Sequence, residues 1–254
     1  MTGVAWVSIA LLLLAPTSVA RGQSPDPADA VFQIEVFSAQ DNRNYRLQES
    51  GTGFFIKSDG TALTVSHLVY RAVHDLEHSR LLAIVGKEFF DAAVVCASRL
   101  LHDPTKPAPN SGVDLSRDVA EIMLTPSTMP FKERGREISG TWSVIATAHT
   151  GPNPDFPFLK IGGNPHGHVR VIGFGDISPI MYKWTAKGQV DEFFHEHGTD
   201  MFTIKFTNPP QAGNSGSPVL DDQDQVVGLL TWQSAVHQYL AIAQAPSAFR
   251  NPCR

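Results

Sequence analysis

Gly213-Asn214-Ser215-Gly216-Ser217-Pro218-Val219, followed after an acidic turn by Val226-Val227-Gly228-Leu229-Leu230-Thr231-Trp232, is the stretch from which the rest of the chain can be read. A serine flanked by small residues and entering a β-hairpin is what an exposed nucleophile needs. Glycine at 213 lets the backbone bend tightly and brings an N–H close to a reacting carbonyl with no Cβ in the way. Glycine at 216 leaves space beside the hydroxyl. The same residues also suit an ordinary polar turn, since Gly, Asn and Ser are common turn formers. What separates the two readings is a base and an orienting carboxylate elsewhere in the chain.

Upstream, Val31-Phe32-Gln33-Ile34-Glu35-Val36 alternates as a half-buried strand does. Gly51-Thr52-Gly53-Phe54-Phe55-Ile56 is a second strand, and Ser58-Asp59-Gly60-Thr61 supplies an Asp-Gly turn. The return strand Ala62-Leu63-Thr64-Val65 runs into Ser66-His67, which places a histidine at a strand end, held by rigid backbone. Residues 69–78 suit a short helix, and residues 81–85 and 89–97 further strands. A loop rich in Pro, Asn, Ser and Gly leads to Arg117-Asp118-Val119-Ala120-Glu121-Ile122, an aspartate opening an alternating strand. The second half carries strands at Val169–Gly175, 201–206, 226–232 and 239–243. Many short strands separated by Gly, Pro and Asp predict an all-β barrel architecture.

Histidine, aspartate and serine thus stand in the order His67, Asp118, Ser215. Serine is a weak nucleophile at neutral pH and needs a base within hydrogen-bond reach. Imidazole can take the proton and return it to the leaving amine, and a buried carboxylate holds the ring tautomer. Asp155, before Phe156-Pro157-Phe158, competes for the carboxylate role, but Pro157 would delete a ladder hydrogen bond in its strand. Asp114 lacks the Val-Ala that follows Asp118.

At this point the chain resembles the chymotrypsin-like serine peptidases, in particular the bacterial exported branch that holds glutamyl endopeptidases and the HtrA/Deg proteases. The matching residues are Gly51-Thr-Gly-Phe-Phe-Ile, Leu63-Thr-Val-Ser-His67, Asp118-Val-Ala-Glu-Ile, Val171-Ile-Gly-Phe-Gly, Gly213-Asn-Ser-Gly-Ser-Pro-Val and Val227-Gly-Leu-Leu-Thr-Trp232. The resemblance implies two six-stranded antiparallel β-barrels, residues 31–135 and 136–254, with the active site in the cleft between them. It implies a serine endopeptidase that works through an acyl-enzyme on Ser215. His67 would be general base and acid, Asp118 its orienting carboxylate, and the N–H groups of Gly213 and Ser215 the oxyanion hole. Thr231-Trp232-Gln233 would pair with substrate backbone and wall the primary pocket. The partner implied is a peptide or protein substrate, with no cofactor.

The chain departs from the family at several positions. Asn214 replaces the aspartate that, in animal relatives, pairs with a freshly cut N-terminus, so activation by that ion pair is not expected. Pro209 stands near the pocket-floor aspartate of Arg/Lys-cleaving enzymes, Leu230 in place of the pocket histidine of glutamyl endopeptidases, and Gln233 in place of a wall glycine. Both charged specificities are therefore disfavoured, which leaves a small or apolar residue before the cut. The rival reading is a binding or chaperone-like protein on the same fold, with catalysis vestigial or gated by Gln233 and the prolines at 209 and 210.

Composition sets the outer bounds. The 254 residues carry 20 Lys and Arg against 25 Asp and Glu, a formal charge of −5 with no long basic run. That argues against nucleic acid, whose phosphates need clustered cations. Residues 4–15 are almost wholly apolar and Ser18-Val19-Ala20 ends them with small side chains, as in a signal peptide spanning residues 1–20. The run is short of the about 20 residues a membrane span needs, so an exported chain, periplasmic or secreted and off the membrane after cleavage, is expected. Export permits a bridge between the two cysteines, Cys96 and Cys253, although Cys96 in Ala-Val-Val-Cys reads equally as a buried thiol. His195-Glu196-His197 and His166-Gly167-His168 lack a third ligand at a metal-site spacing, so no metal is expected. About 20 residues follow Trp232, and no PDZ-type domain is expected.

Overall fold

The structure, a computed structural model, describes residues 26–39, 45–101, 103–106, 116–127, 147–177, 180–233, 237 and 239–253. The leader peptide, the 135/136 boundary and Asp114 lie outside the described residues.

The first barrel is built from β1 (Val31–Ala39), β2 (Tyr45–Phe55), β3 (Thr61–Thr64), β4 (Ser79–Val85), β5 (Glu88–Ala97) and β6 (Ala120–Thr125). Its order is β4-β1-β2-β3-β6-β5, closed by antiparallel pairing of β4 with β5. A short β7 (Thr147–Ala148) adds to β5 in parallel. The second barrel comprises β8 (His168–Ile177), β9 (Ile180–Glu196), β10 (Thr199–Phe206), β11 (Pro218–Leu220), β12 (Val226–Gln233) and β13 (Leu240–Gln244), closed in the order β10-β13-β12-β11-β8-β9. Two closed six-stranded antiparallel barrels are therefore present. Closure removes the unpaired edges that an open sheet of this size would leave.

Strand alternation fills the two interiors. Phe32, Ile34 and Val36 of β1 point into the first core with Phe54, Leu63, Ile122 and Leu124, all fully buried. Val171, Trp184, Phe202, Ile204 and Val219 make the second. Ile172, Leu220, Val226 and Leu229 belong to the second barrel yet pack in the first barrel's cluster, so the two are joined by apolar contact. Phe156 and Leu159 also pack there, while Asp155 stays exposed.

A 3-10 turn (Pro27–Ala30) ahead of β1 and two α-helices complete the described fold: α1 (Ser66–His74), between β3 and β4, and α2 (Pro246–Phe249), after β13. Phe249 is buried in the first barrel's cluster, so the end of the chain crosses back from the second barrel. A Cys96–Cys253 disulfide, with Cα atoms 5.5 Å apart, fastens that end to β5.

Candidate active site

His67 sits on the first turn of α1, not at a strand end: β3 stops at Thr64 and the helix starts at Ser66, three residues earlier than expected. The first N–H groups of a helix have no partner within it. Here Val65 offers no capping side chain, and the Asp118 carboxylate takes over. Its Oδ1 accepts the His67 backbone N–H at 2.8 Å, while its Oδ2 lies 2.6 Å from His67 Nδ1. One carboxylate therefore fixes both the helix turn and the ring. Asp118 is fully buried just ahead of β6, and the Ser66 hydroxyl donates to the neighbouring Val119 carbonyl at 2.6 Å.

A buried anion at a helix N-terminus is well placed against the partial positive charge there. The His67 side chain remains 16% exposed, against none for Asp118. Burial works to lower the imidazole pKa, but the charge and hydrogen bond of Asp118, with the charge of Glu49 behind them, hold it above the ordinary histidine value.

Ser215 lies in the turn ahead of β11. Gly213 and Gly216 both take positive φ, 89° and 88°, a region that side chains other than glycine's rarely tolerate. A Cβ at 216 would also come within 2.1 Å of the Thr52 carbonyl oxygen. The turn is stitched internally: Asn214 N–H donates to Gln211 O at 3.1 Å, Asn214 Oδ1 accepts from Gln211 N–H at 2.6 Å, and Ser217 N–H donates to Asn214 O at 3.1 Å. The Asn214 Oδ1 is thus spent on its own loop, while its Nδ2 is buried without a partner among the described residues. Among the described residues, neither the Gly213 nor the Ser215 N–H donates to a protein acceptor.

β12 links the serine to the histidine. The Ser215 hydroxyl donates to the Thr231 carbonyl at 3.3 Å, and the next residue, Trp232, stacks on the His67 ring with centroids 4.5 Å apart and planes at 22°. Thr231 is the bulged residue in the pairing of β12 with β13, which sets Trp232 opposite Ile242 and Gln233 opposite Ala241. Leu230 packs into the second core. The two histidine pairs stand apart from this cluster, with His195 bonded to Asp200 at 2.7 Å, and no group of three or more potential metal ligands gathers among the described residues.

A trypsin-like peptidase domain model matches residues 51–229, which hold most of both barrels with His67, Asp118 and Ser215. The chain belongs to the trypsin-like peptidase family. A putative serine protease HhoB of Synechocystis sp. is 26% identical over 205 residues, covering 80% of this chain and 39% of that protein. A probable periplasmic serine endoprotease DegP-like of Chlamydia pneumoniae is 25% identical over 227 residues, covering 85% of this chain and 36% of that protein. The chain thus spans less than two-fifths of the length of these relatives. In fold it is similar to the Rv3671c protease of M. tuberculosis in its active form, with TM-score 0.55, 18% identity and coverage of 90% of this chain and 86% of that one. The inactive form of the same protease superposes with TM-score 0.54 at 17% identity, over 88% and 87% of the two chains.

Reading residue types in order singled out His67, Asp118 and Ser215; the structure brings the first two into contact, while the Ser215 hydroxyl bonds to the Thr231 carbonyl. That reading missed the hydroxyls of Thr52, Thr64 and Ser66, which hold the loops bearing them. All three lie in the matching motifs, but strand alternation marks them only as buried positions.

Proposed function

We propose that this trypsin-like domain is a serine endopeptidase that cleaves peptide bonds through an acyl-enzyme on Ser215. The observation that carries this is the double engagement of Asp118 with His67, which fixes the helix turn and occupies the ring at Nδ1, leaving Nε2 as the nitrogen that would take the Ser215 proton. His67 takes the Ser215 proton as the hydroxyl attacks the carbonyl carbon, and delivers it to the leaving amine. Water then attacks the acyl-enzyme by the same route. The Gly213 and Ser215 N–H groups receive the charge that develops on the carbonyl oxygen.

From Thr231 to Gln233, β12 is paired on one side only, with β13, among the described residues. An extended substrate adds as a strand on the other side, where its backbone groups replace the Ser215 hydroxyl at the Thr231 carbonyl. Because Asn214 is held by its own loop, the cleft needs no new N-terminus to take shape. The leader-like residues 1–20 and the periplasmic description of the Chlamydia relative support an exported enzyme, periplasmic or secreted. Ser215→Ala should lower turnover of a protein substrate by about 10⁶, as loss of the nucleophile does in other triads. Unchanged hydrolysis by that variant would refute the assignment.

The Trp232–His67 stack favours a second reading, a gated form in which the indole covers one face of the base until substrate displaces it. Under that reading Trp232→Ala speeds the first turnover. A slower first turnover instead would assign Trp232 to substrate binding alone.

A further inference from the structure

The Thr52 side chain is fully buried where three segments meet. It lies on β2 of the first barrel, and each of its polar groups is used. Its N–H donates to the Ser215 carbonyl at 2.9 Å, and its hydroxyl donates to the Gly213 carbonyl at 2.9 Å. The same hydroxyl accepts the N–H of Phe174, on β8 of the second barrel, at 2.9 Å. Its carbonyl accepts the Thr64 hydroxyl at 2.8 Å, three residues ahead of His67. One residue therefore grips the carbonyls on both sides of Asn214.

From this we infer that Thr52 is a positioning residue for the oxyanion hole, an assignment that rests on the peptidase reading above. The two N–H groups assigned to the oxyanion belong to Gly213 and Ser215, and they point correctly only while the peptide planes from 213 to 216 hold their orientation. Gly213 and Gly216, with positive φ, have no side chains to resist rotation of those planes. The Thr52 N–H and hydroxyl supply that resistance from the opposite barrel. The backbone N–H does so whatever side chain stands at 52, so the hydroxyl is the sequence-dependent half of the grip. Losing it would leave the buried Gly213 C=O and the part-buried Phe174 N–H without this partner, and the loop would turn to satisfy them. Donors that stabilise a developing oxyanion act in the transition state more than in the bound ground state, so the loss belongs in kcat and not in KM.

The test compares Thr52→Val, which keeps the shape and removes the hydroxyl, with Thr52→Ser, which restores it. Each is assayed for kcat and KM on one peptide substrate and for inhibition by a peptide aldehyde, which binds as a tetrahedral oxyanion. Thr52→Val should lose about 10-fold to 100-fold in kcat, less than the full loss of one oxyanion donor, with KM within about twofold. Aldehyde affinity should fall in parallel, and Thr52→Ser should recover most of both losses. Should Thr52→Val not fold by thermal melt, Thr52→Cys takes its place, since it fills the site but donates only weakly.

A valine variant within about twofold of wild type in kcat, or a serine variant as impaired as valine, would overturn the assignment while leaving the peptidase reading intact. Wild-type protein inert both to peptide and to a serine-directed phosphonate would instead overturn that reading itself.

Discussion

Under the proposed mechanism His67 has to be neutral to accept the Ser215 proton, so its ionisation would set the acid side of the activity profile. Asp118 and Glu49 hold its pKa above the ordinary value of about 6.5 despite burial, so kcat/KM should rise with pH through an apparent pKa above that value. Asp118→Asn removes the charge that raises it. The acid limb should then move to lower pH while turnover drops by about 10⁴, and a limb that stays in place would assign it to another group. Glu35 is a second titrating residue, remote from the chemistry. It is 3% exposed, its partner is the Gln33 amide at 2.6 Å, and burial pushes its pKa up to about 7. A carboxyl raised in the fold adds stability when protonated. That contribution is complete below the unfolded value near 4.5 and is lost as pH rises through about 7, on the order of 3 kcal/mol. Glu35→Gln should therefore melt higher than wild type at alkaline pH, with little difference in mild acid. The reverse order would show that Glu35 is paired as an anion. The pairing of His67 with Asp118 was legible because the expectation rests on residue type and order. The burial of Glu35 and the bonds of Thr52 were not, because they depend on which strand lies alongside.

Strands with apolar residues on one face were easy to read; mixed ones were not. β9 alternates cleanly, with Trp184, Ala186 and Gly188 buried and Thr185, Lys187 and Gln189 exposed, but its inward residues are too varied in size to show an apolar period. The helix after β3 was expected from residue 69, since Ser66 and His67 are weak helix formers. Their hydrogen bonds to Val119 and Asp118 outweigh that preference, so tertiary contact moves the start of α1 to Ser66. The nucleophile turn makes a sharper claim. Gly216→Ala adds a side chain where φ is 88° and the Thr52 carbonyl is in the way, which should cost more than about 2 kcal/mol by denaturant titration and abolish activity. Gly163→Ala, with open space around it, serves as the control and should be near neutral. Equal stability of the two variants would mean that the turn relaxes freely.

Strand spacing indicated an all-β barrel architecture and the family resemblance implied two barrels, but nothing local showed how the chain end ties the barrels together. Arg117, next to Asp118, donates to the carbonyls of Ala248, Asn251 and Pro252 at 2.8 Å each, and Cys253 then bonds to Cys96 on β5. The second barrel's tail thus closes over the loop that presents the buried carboxylate. Replacing both cysteines by serine should lower unfolding stability by about 2–5 kcal/mol, as is usual for a bridge closing a long loop, and an unchanged denaturant midpoint would show that the non-covalent contacts suffice. Peptidase chemistry on this fold requires that the folded cleft activate Ser215. The direct measurement is mass spectrometry of native protein treated with a fluorophosphonate. A single adduct on Ser215, absent in His67→Ala and in protein denatured before treatment, is the predicted result. An unmodified Ser215 in folded wild-type protein would contradict the account and leave a peptidase fold used for binding.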